Sequence, residues 1–345
     1  MRSHLLRLVL VMLVVGLCVQ AAFAAKAKKS SSAADIDEDS GAPDFPPGVF
    51  SDGGHYHLSD FRGKLVVLFF YESTCPRCKG LIPDRNKVVA EFKDKPVKFV
   101  AVSPHDTLFE ARSYITETHL AMPVFADTFN IMETMYGQDI SLNNIYQFRI
   151  IGPDGRIVGY EMTTAAVEQA LSRVKWKYRD EGYDPALNQV IALLEWNQFE
   201  PGVRLLQPMR KSSTKTLAAS AEKLYQAVHA EGEAWMKSAD TLLESKPARA
   251  YDLYTKVAAV FAGDELGKSA AESLKTLANN PKVQAELSAR QMYAQLYDAV
   301  PRASLKQKGQ IIDFCRGISA QYPDTPTAAK AARLADALEK APSPQ

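Results

Sequence analysis

The stretch FFYESTCPRCKGLIP, residues 69–83, places two cysteines directly after an apolar run and directly before a predicted helix. A helix that begins near Pro76 puts Cys75 at its N-terminus, because proline is pre-set for the first helical turn. The unpaired backbone amides of that turn, together with Arg77, favour a thiolate on Cys75. Cys78, one turn further in, is predicted to be less exposed. An exposed nucleophilic thiol beside a sheltered resolving thiol is the pairing that disulfide exchange requires.

Strand and helix patterns alternate around this junction. The runs KLVVLFFY (64–71) and VKFVAVS (97–103) are continuously apolar, which is typical of strands buried on both faces. Later, IYQFRII and RIVGYEM flank the turn residues Pro-Asp-Gly at 153–155, which predicts an antiparallel hairpin. Helical patterns cover residues 76–93, 107–120, 127–137 and 164–176. These elements predict an α/β domain, with a central mixed sheet flanked by helices.

The composition changes after residue 178. Residues 185–340 are rich in Ala, Leu, Glu, Lys and Gln at helical spacing, which predicts an all-helical domain. Breaks are expected at KPA, FAGDE, NNPK, AVPRAS and YPDTP. The stretches at 261–277 and 322–338 resemble each other, each with an aromatic residue, a turn and a helix of small residues. The region resembles degenerate tetratricopeptide-type helical hairpins, with an irregular helical bundle as the alternative.

The N-terminus has the pattern of a cleaved secretory signal peptide over residues 1–25. Arg2 and Arg7 precede the apolar run LVLVMLVVGL, and Ala22 and Ala24 give a small-x-small cleavage site. Leu17 before Cys18 argues against lipid attachment, since a lipid signal has a small residue there. The polar residues 26–41 predict a disordered linker. We therefore expect an exported, periplasmic protein with no membrane span after cleavage, since no later run approaches ~20 apolar residues.

The overall charge excludes a strong electrostatic field. Forty-one basic residues stand against 40 acidic ones, for a net charge of +1. Neither nucleic acid nor an anionic membrane is an expected partner. At 345 residues the chain has room for two domains.

Residues 42–176 resemble the thioredoxin superfamily, and in particular exported thiol-disulfide oxidoreductases with a redoxin or alkyl-hydroperoxide-reductase-like domain. The similarity rests on the lead-in APDFPPGVFSDGGHYHLSDFRGK, the strand–CxxC–helix order and PDGRI. The resemblance implies a thioredoxin-like domain over 42–178, with Cys75 as the attacking thiol, Cys78 as the resolving thiol and Pro83 as a helix-kinking proline. It also implies no bound cofactor, a protein thiol or disulfide as substrate and a redox partner that recycles the pair.

Three positions depart from the family pattern. Thr74 replaces the usual tryptophan before the first cysteine, and Phe69 occupies the position of a buried acid. Tyr146 occupies the position of a cis-proline. A non-proline cis bond costs ~3–4 kcal/mol, so we expect Tyr146 to be trans and the substrate groove to be reshaped. Together with Thr74, Pro76 and Arg77, Tyr146 is expected to shape the site.

Other roles for the cysteine pair remain open. A structural disulfide between such near neighbours closes a short loop and stabilises little. A metal site, with copper as the ion, needs further ligands, because a CxxC supplies only two thiolates. His105 follows a strand and could approach the pair, while His55 and His57 alternate on a predicted loop or edge strand.

A peroxidase is the competing enzymatic interpretation. Peroxiredoxins carry a proline and a threonine at fixed distances before the reactive cysteine. Counted from Cys75, those positions hold Leu68 and Glu72; counted from Cys78, they hold Tyr71 and Cys75. Neither register fits the peroxidase pattern.

The alternative from a different class is a redox-inactive scaffold, whose helical domain mediates protein interaction or dimerisation. Cys315 is expected to be a buried bystander on a helical face. Trp196 and Trp235 are expected to anchor packing among the helices.

Overall fold

The computed structural model describes residues 41–138, 144–179 and 181–342. The predicted signal peptide, Cys18 and all but the last residue of the predicted linker lie outside the described residues. Among the helices of the described ranges, none is both long and apolar enough to cross a membrane.

A six-stranded mixed sheet organises the first part of the chain. Its strands are β1 Val49–Phe50, β2 Leu65–Phe70, β3 Val97–Pro104, β4 Val124–Asp127, β5 Gln147–Ile151 and β6 Ile157–Gly159. Their order in the sheet is β1-β4-β3-β2-β5-β6. Strands β2, β3 and β4 are parallel, while β1, β5 and β6 run antiparallel to their neighbours. The predicted mixed sheet and its late hairpin are confirmed.

The helices divide between the two parts of the chain. Four accompany the sheet, namely α1 Pro76–Glu91, α2 Leu108–Thr118, α3 Ile131–Tyr136 and α4 Thr164–Leu171. The remainder of the described chain contains α5 Asn188–Glu195, α6 Phe199–Arg210, α7 Lys215–Leu242, α8 Pro247–Val260, α9 Glu265–Leu277, α10 Pro281–Ala299, α11 Lys308–Gln321 and α12 Pro326–Lys340. Short 3₁₀ turns occur at Leu58–Phe61, Pro185–Leu187, Val300–Arg302 and Leu305–Gln307.

Strand β2 is apolar throughout because both faces of the sheet are covered. Its residues alternate between two hydrophobic clusters, with Leu65, Val67 and Phe69 on one face and Val66, Leu68 and Phe70 on the other. The first cluster includes residues of α1, α2 and α4. The second includes residues of α3 and of the segment that precedes β2. This arrangement explains why the strand shows no polar alternation.

The helix boundaries after residue 185 follow from proline and capping residues. Pro247, Pro281 and Pro326 each occupy the first position of a helix, where a missing N–H costs nothing. The Asp264 side chain accepts the N–H of Gly267, which caps α9. Each of the five predicted breaks spans a boundary between consecutive helices, and the predicted all-helical character is confirmed.

Two short strands and the packing of one tryptophan differ from the sequence predictions. Strands β1 and β4 have two and four residues, and neither was predicted, because runs this short carry little periodicity. Trp196 packs edge-on against Phe61 at 6.0 Å between ring centroids, so its predicted role among the helices alone was wrong. It contacts the sheet-containing part of the chain instead, whereas Trp235 packs against Phe199 in α6 as expected.

The two parts of the chain are joined by polar contacts as well as apolar ones. The described residues belong to one compact unit. Lys64 Nζ lies 2.7 Å from Glu195 Oε2, and both side chains are buried. The Asn197 side chain donates to the carbonyls of Asp60 and Arg62 at 3.0 and 3.1 Å. These contacts hold the turn between α5 and α6 against the amino end of β2.

Candidate active site

Cys75 caps the N-terminus of α1. Its backbone is extended, with φ −83° and ψ 113°, and its Sγ accepts the backbone N–H of Cys78 at 3.3 Å. The Cys75 N–H donates to the carbonyl of Glu72 at 3.1 Å, which closes the turn from β2 into the helix. The Cys78 N–H in the first turn of α1 therefore donates to the Cys75 sulfur, which is the geometry of a helix N-cap.

Cys78 lies in a more sheltered position one turn further along α1. Its side chain is 0% exposed, against 7% for Cys75, and both are free thiols. Burial raises the pKa of the Cys78 thiol to about 12, and the neighbouring Cys75 and Glu72 charges act in the same direction. The Cys78 thiol is therefore protonated at neutral pH. Cys78 is the less exposed of the two cysteines, as predicted, but Cys75 is also buried and not exposed as expected.

Glu72 lies between the end of β2 and the cysteine pair. It is half-buried, and burial together with the charges of Glu133 and Asp106 raises its pKa from an ordinary 4.5 to about 7. Its backbone N–H stabilises the ionised form of Cys78, and its carboxylate opposes that form electrostatically. Glu72 is thus a carboxyl group that can gain or lose a proton near neutral pH beside the buried thiol.

Asp106 forms a cluster of hydrogen bonds with two serines near Glu72. It accepts hydrogen bonds from the hydroxyls of Ser73, at 2.8 Å, and of Ser103. Burial is the largest influence on Asp106 and raises its pKa, although the two serine hydrogen bonds lower it. Ser73 belongs to the turn that carries Glu72 and Cys75, whereas Ser103 belongs to β3. The Asp106 carboxyl group therefore ties the active-site turn to the neighbouring strand.

Two stacked tyrosines form the apolar wall of the site. The rings of Tyr71 and Tyr114 lie 4.3 Å apart with 24° between their planes. Lys79 of α1 lies over the Tyr114 ring at 5.9 Å and forms an ion pair with Glu117 at 2.8 Å. Burial raises the pKa of the Tyr114 hydroxyl above its ordinary value, and Tyr71 and both cysteines contribute. The tyrosines are buried in the same cluster as the two thiols.

The strand–CxxC–helix geometry agrees with the sequence comparisons. The AhpC/TSA family matches residues 40–159. Over these residues, hereafter the AhpC/TSA domain, the chain is similar to that family. The AhpC/TSA domain contains the whole sheet, the cysteine pair and helices α1–α3.

Two relatives illustrate the similarity. Thiol-disulfide oxidoreductase ResA of Oceanobacillus iheyensis is 36% identical over 98 residues, which are 28% of this chain and 51% of that protein. The protein of the same name from Bacillus thuringiensis is 26% identical over 126 residues, 36% of this chain and 70% of that protein. This chain thus spans about half of the first relative and 70% of the second.

A solved structure is also similar to part of this chain. The thioredoxin domain of a thiol-disulfide oxidoreductase from Bacteroides vulgatus is 23% identical to this chain, and the match covers 38% of this chain and 96% of that one, with a TM-score of 0.34.

The residues predicted to shape the site are exposed. Thr74, Pro76 and Arg77 are exposed at the start of α1, and Pro83 is exposed within the helix. Tyr146 precedes β5 and is 62% exposed. The peptide bond before Tyr146 is trans, like every other bond of the described residues, as expected for a non-proline residue.

The three histidines considered as metal ligands differ in their exposure and in their hydrogen-bond partners. His57 Nδ1 forms a hydrogen bond with Asp44 at 2.9 Å, and His55 is exposed. His105 follows β3 with φ 63°, and its N–H donates to the carbonyl of Asp127 at 2.9 Å. Across the described ranges, no three His, Cys, Asp or Glu side chains are grouped so as to hold a metal ion.

The residue that the sequence analysis did not assign to the site is Glu72. In the sequence, Glu72 occupies the position of the threonine in the peroxidase pattern. The position expected for a buried acid holds Phe69, which stacks on Phe148 at 5.3 Å in the core. One sequence feature points to a role for Glu72 in the site: it is an acidic residue three positions before Cys75, directly after a buried strand. Its neighbours Asp106 and Glu133 are distant in sequence, so its raised pKa depends on the fold.

Proposed function

We propose that this chain is an exported thiol-disulfide oxidoreductase that exchanges disulfides with protein substrates through Cys75 and Cys78. The observation that carries the proposal is the asymmetry of the pair. Cys75 Sγ accepts the N–H of Cys78 at the start of α1, while the thiol of Cys78 is buried and protonated at neutral pH. The similarity of the AhpC/TSA domain to relatives named thiol-disulfide oxidoreductase supports it.

The first step is attack on the substrate. The Cys75 thiolate attacks one sulfur of a substrate disulfide, which forms a mixed disulfide and releases the other substrate sulfur as a thiolate. The helix N-terminus stabilises the thiolate before the attack. Thr74, Pro76, Arg77 and Tyr146 are exposed, and we propose that they contact the substrate.

The second step resolves the mixed disulfide. The Cys78 thiol passes its proton to the Glu72 carboxylate, and the resulting thiolate attacks Cys75 Sγ. A Cys75–Cys78 disulfide forms and the second substrate sulfur leaves as a thiolate, so the substrate gains two electrons and the enzyme loses two. A partner dithiol must then reduce the pair. Oxidation of a substrate dithiol is the same sequence in reverse.

Export is a part of this proposal that rests on the sequence pattern of residues 1–25. Removal of the leader leaves Cys75, Cys78 and Cys315. In an oxidising compartment such a pair has disulfides to exchange with. Fractionation of cells that produce the full chain, with N-terminal sequencing of the exported form, tests this part.

Reduction of insulin disulfides by dithiothreitol tests the activity. The wild-type chain is expected to accelerate the reaction, and Cys75→Ser is expected to abolish the acceleration because the attacking sulfur is lost. Cys315→Ser is the matched control, because its thiol is buried in the helical region. Wild type no faster than Cys75→Ser contradicts the proposal and favours a redox-inactive binding protein.

A further inference from the structure

One carboxylate is shared between the sheet-containing part of the chain and helix α12. Asp44 Oδ2 lies 2.9 Å from His57 Nδ1 and 3.6 Å from Lys330 Nζ. His57 directly precedes the 3₁₀ turn Leu58–Phe61, whereas Lys330 belongs to α12. The side chains of Asp44, His57 and Lys330, which we call the junction cluster, are 25%, 22% and 26% exposed. Water and protons therefore reach the junction cluster.

Two members of the junction cluster are fixed within the sheet-containing part. The backbone N–H groups of Phe45 and Leu58 donate to Asp44 Oδ1 at 2.9 and 2.8 Å. The backbone N–H of His57 donates to Asp60 Oδ2 at 2.8 Å. None of these hydrogen bonds involves α12, so they can hold His57 beside Asp44 when α12 moves.

Helices α10 and α12 contact the same cluster. The Tyr297 ring of α10 packs edge-on against the His57 imidazole, with 6.0 Å between ring centroids. Lys330 Nζ lies 5.5 Å from the centroid of the Tyr293 ring, also in α10. Packing of these helices therefore removes water from the imidazole and brings an ammonium group to the carboxylate oxygen that the imidazole contacts. Both effects disfavour a proton on His57.

The groups that act on His57 fall into two opposing sets. Burial, the largest influence, lowers the pKa of His57, and the charge of Lys330 acts in the same direction. The carboxylates of Asp44 and Asp60 raise it, and the net shift is upward from the ordinary 6.5. The two carboxylates belong to the sheet-containing part and Lys330 to α12, so His57 binds a proton more tightly when α12 is away. By linkage, a proton on His57 favours the separation of α12 by the same factor.

We propose that protonation of His57 weakens the contact between Asp44 and Lys330 and so loosens α12 from the sheet-containing part of the chain. When His57 is neutral, Lys330 supplies the only positive charge within the junction cluster. When His57 is protonated, two cations compete for one carboxylate oxygen and repel each other. A proton thus exchanges a contact between the two parts of the chain for a stronger contact within one of them. The cysteine pair takes no part in this device, so it is independent of the proposed function.

Hydrogen exchange of α12 in the reduced full chain tests the proposal. Mass spectrometry gives the protection of α12 peptides at about pH 5.5 and about pH 9, each value corrected for the intrinsic exchange rate at that pH. His57→Asn retains an N–H donor and cannot gain a charge. Protection should fall from the higher to the lower pH by about tenfold more in wild type than in His57→Asn, which corresponds to a difference of one pH unit in the His57 midpoint. An equal fall in the two chains overturns the proposal.

Two features of this design isolate His57 from other titrating groups. Burial raises the pKa of Asp127, which caps α3, to about 7, but Asp127 is present in both chains and cancels in the comparison. His229→Asn is the matched control, because His229 is a half-buried histidine of α7 whose Nδ1 lies 3.2 Å from Glu233. The control should keep the full wild-type response of α12 to pH. Loss of that response in His229→Asn overturns the assignment to His57.

The reciprocal measurement is the titration of His57 itself, and it does not depend on the folding of His57→Asn. Lys330→Met removes the ammonium group and keeps an apolar side chain beside Tyr293. The midpoint of the His57 imidazole resonances is expected to rise by roughly one pH unit in this variant, the size of effect that one nearby charge produces. Lys340→Met, which changes an exposed lysine of the same helix, should leave the midpoint unchanged. An equal midpoint in Lys330→Met and wild type overturns the proposal.

Discussion

The backbone N–H of Cys78 donates to the Sγ of Cys75 at 3.3 Å. Burial of the Cys78 thiol and this contact together make the two thiols unequal. The Cys78 N–H stabilises negative charge on the Cys75 sulfur at the start of α1. The sulfur of Cys78 itself lies buried in the core. The order of events in the proposed reaction follows from that inequality, with Cys75 attacking first and Cys78 resolving.

Trapping of the mixed disulfide tests this order. Cys78→Ser is expected to accumulate a covalent adduct with a disulfide-containing peptide, because the attacking thiol is present and the resolving one is not. Cys75→Ser is expected to form none at neutral pH, since the buried Cys78 thiol remains protonated. Non-reducing electrophoresis and mass spectrometry detect the adduct. Equal adduct formation by the two variants contradicts the assignment.

Replacement of Glu72 is expected to slow the resolving step. Glu72→Gln removes the proton acceptor, so release of peptide from the preformed mixed disulfide should slow by roughly 10²-fold, a typical effect for a general base. The wild-type rate should rise through pH 7, where Glu72 ionises, and the variant should lack that rise. Stopped-flow measurement between pH 5.5 and about pH 8.5 gives both profiles. Glu168→Gln, an exposed residue of α4, is the control.

The same substitution should change stability in a pH-dependent way. The pKa of Glu72 is raised by folding from 4.5 to about 7. The folded state therefore loses stability relative to the unfolded state as pH rises through this window. Glu72→Gln is expected to be more stable than wild type at about pH 8, with the difference vanishing near pH 4. Urea unfolding at the two pH values measures this, and a difference that is larger at the lower pH contradicts the assigned pKa direction.

The buried Lys64–Glu195 pair should contribute strongly to the join between the two parts of the chain. Glu195→Gln leaves the buried Lys64 ammonium without a counter-charge, which is expected to cost about 3–5 kcal/mol of unfolding free energy. The exposed pair Asp84–Lys87 supplies the control, since Asp84→Asn should change the unfolding free energy far less. Equal losses of unfolding free energy in Glu195→Gln and Asp84→Asn contradict a strong contribution from the buried Lys64–Glu195 pair.

Much of the fold was predictable from local sequence patterns. Strands β2 and β3 are long and apolar, and the starts of α8, α10 and α12 carry a proline at the first helical position. Strand β4 was missed because VFAD is four residues long and is directly preceded by Pro123. Strand β4 forms because it pairs with β3, and its last residue, Asp127, caps α3. Neither contact is visible in the local sequence pattern.

The site was predictable only in part for a related reason. Cys75 and Cys78 are visible because their spacing and the following proline are local signals. Glu72 acquires its raised pKa from Glu133, 61 positions away in the sequence, and from burial, neither of which a single sequence reveals. The contact of Trp196 with Phe61 was unpredictable for the same reason, since it joins two separately predicted domains. The boundaries of those domains, 42–178 and 185–340, stay predictions.

Competitive alkylation of the reduced full chain at about pH 7 tests the central claim most directly, since thiolate reactivity controls the rate. Iodoacetamide labelling followed by peptide mapping gives separate rates for Cys75, Cys78 and Cys315. Cys75 should react about tenfold faster than an unstructured cysteine peptide, while the other two thiols stay largely unmodified. A Cys75 rate no higher than that of the peptide contradicts the account.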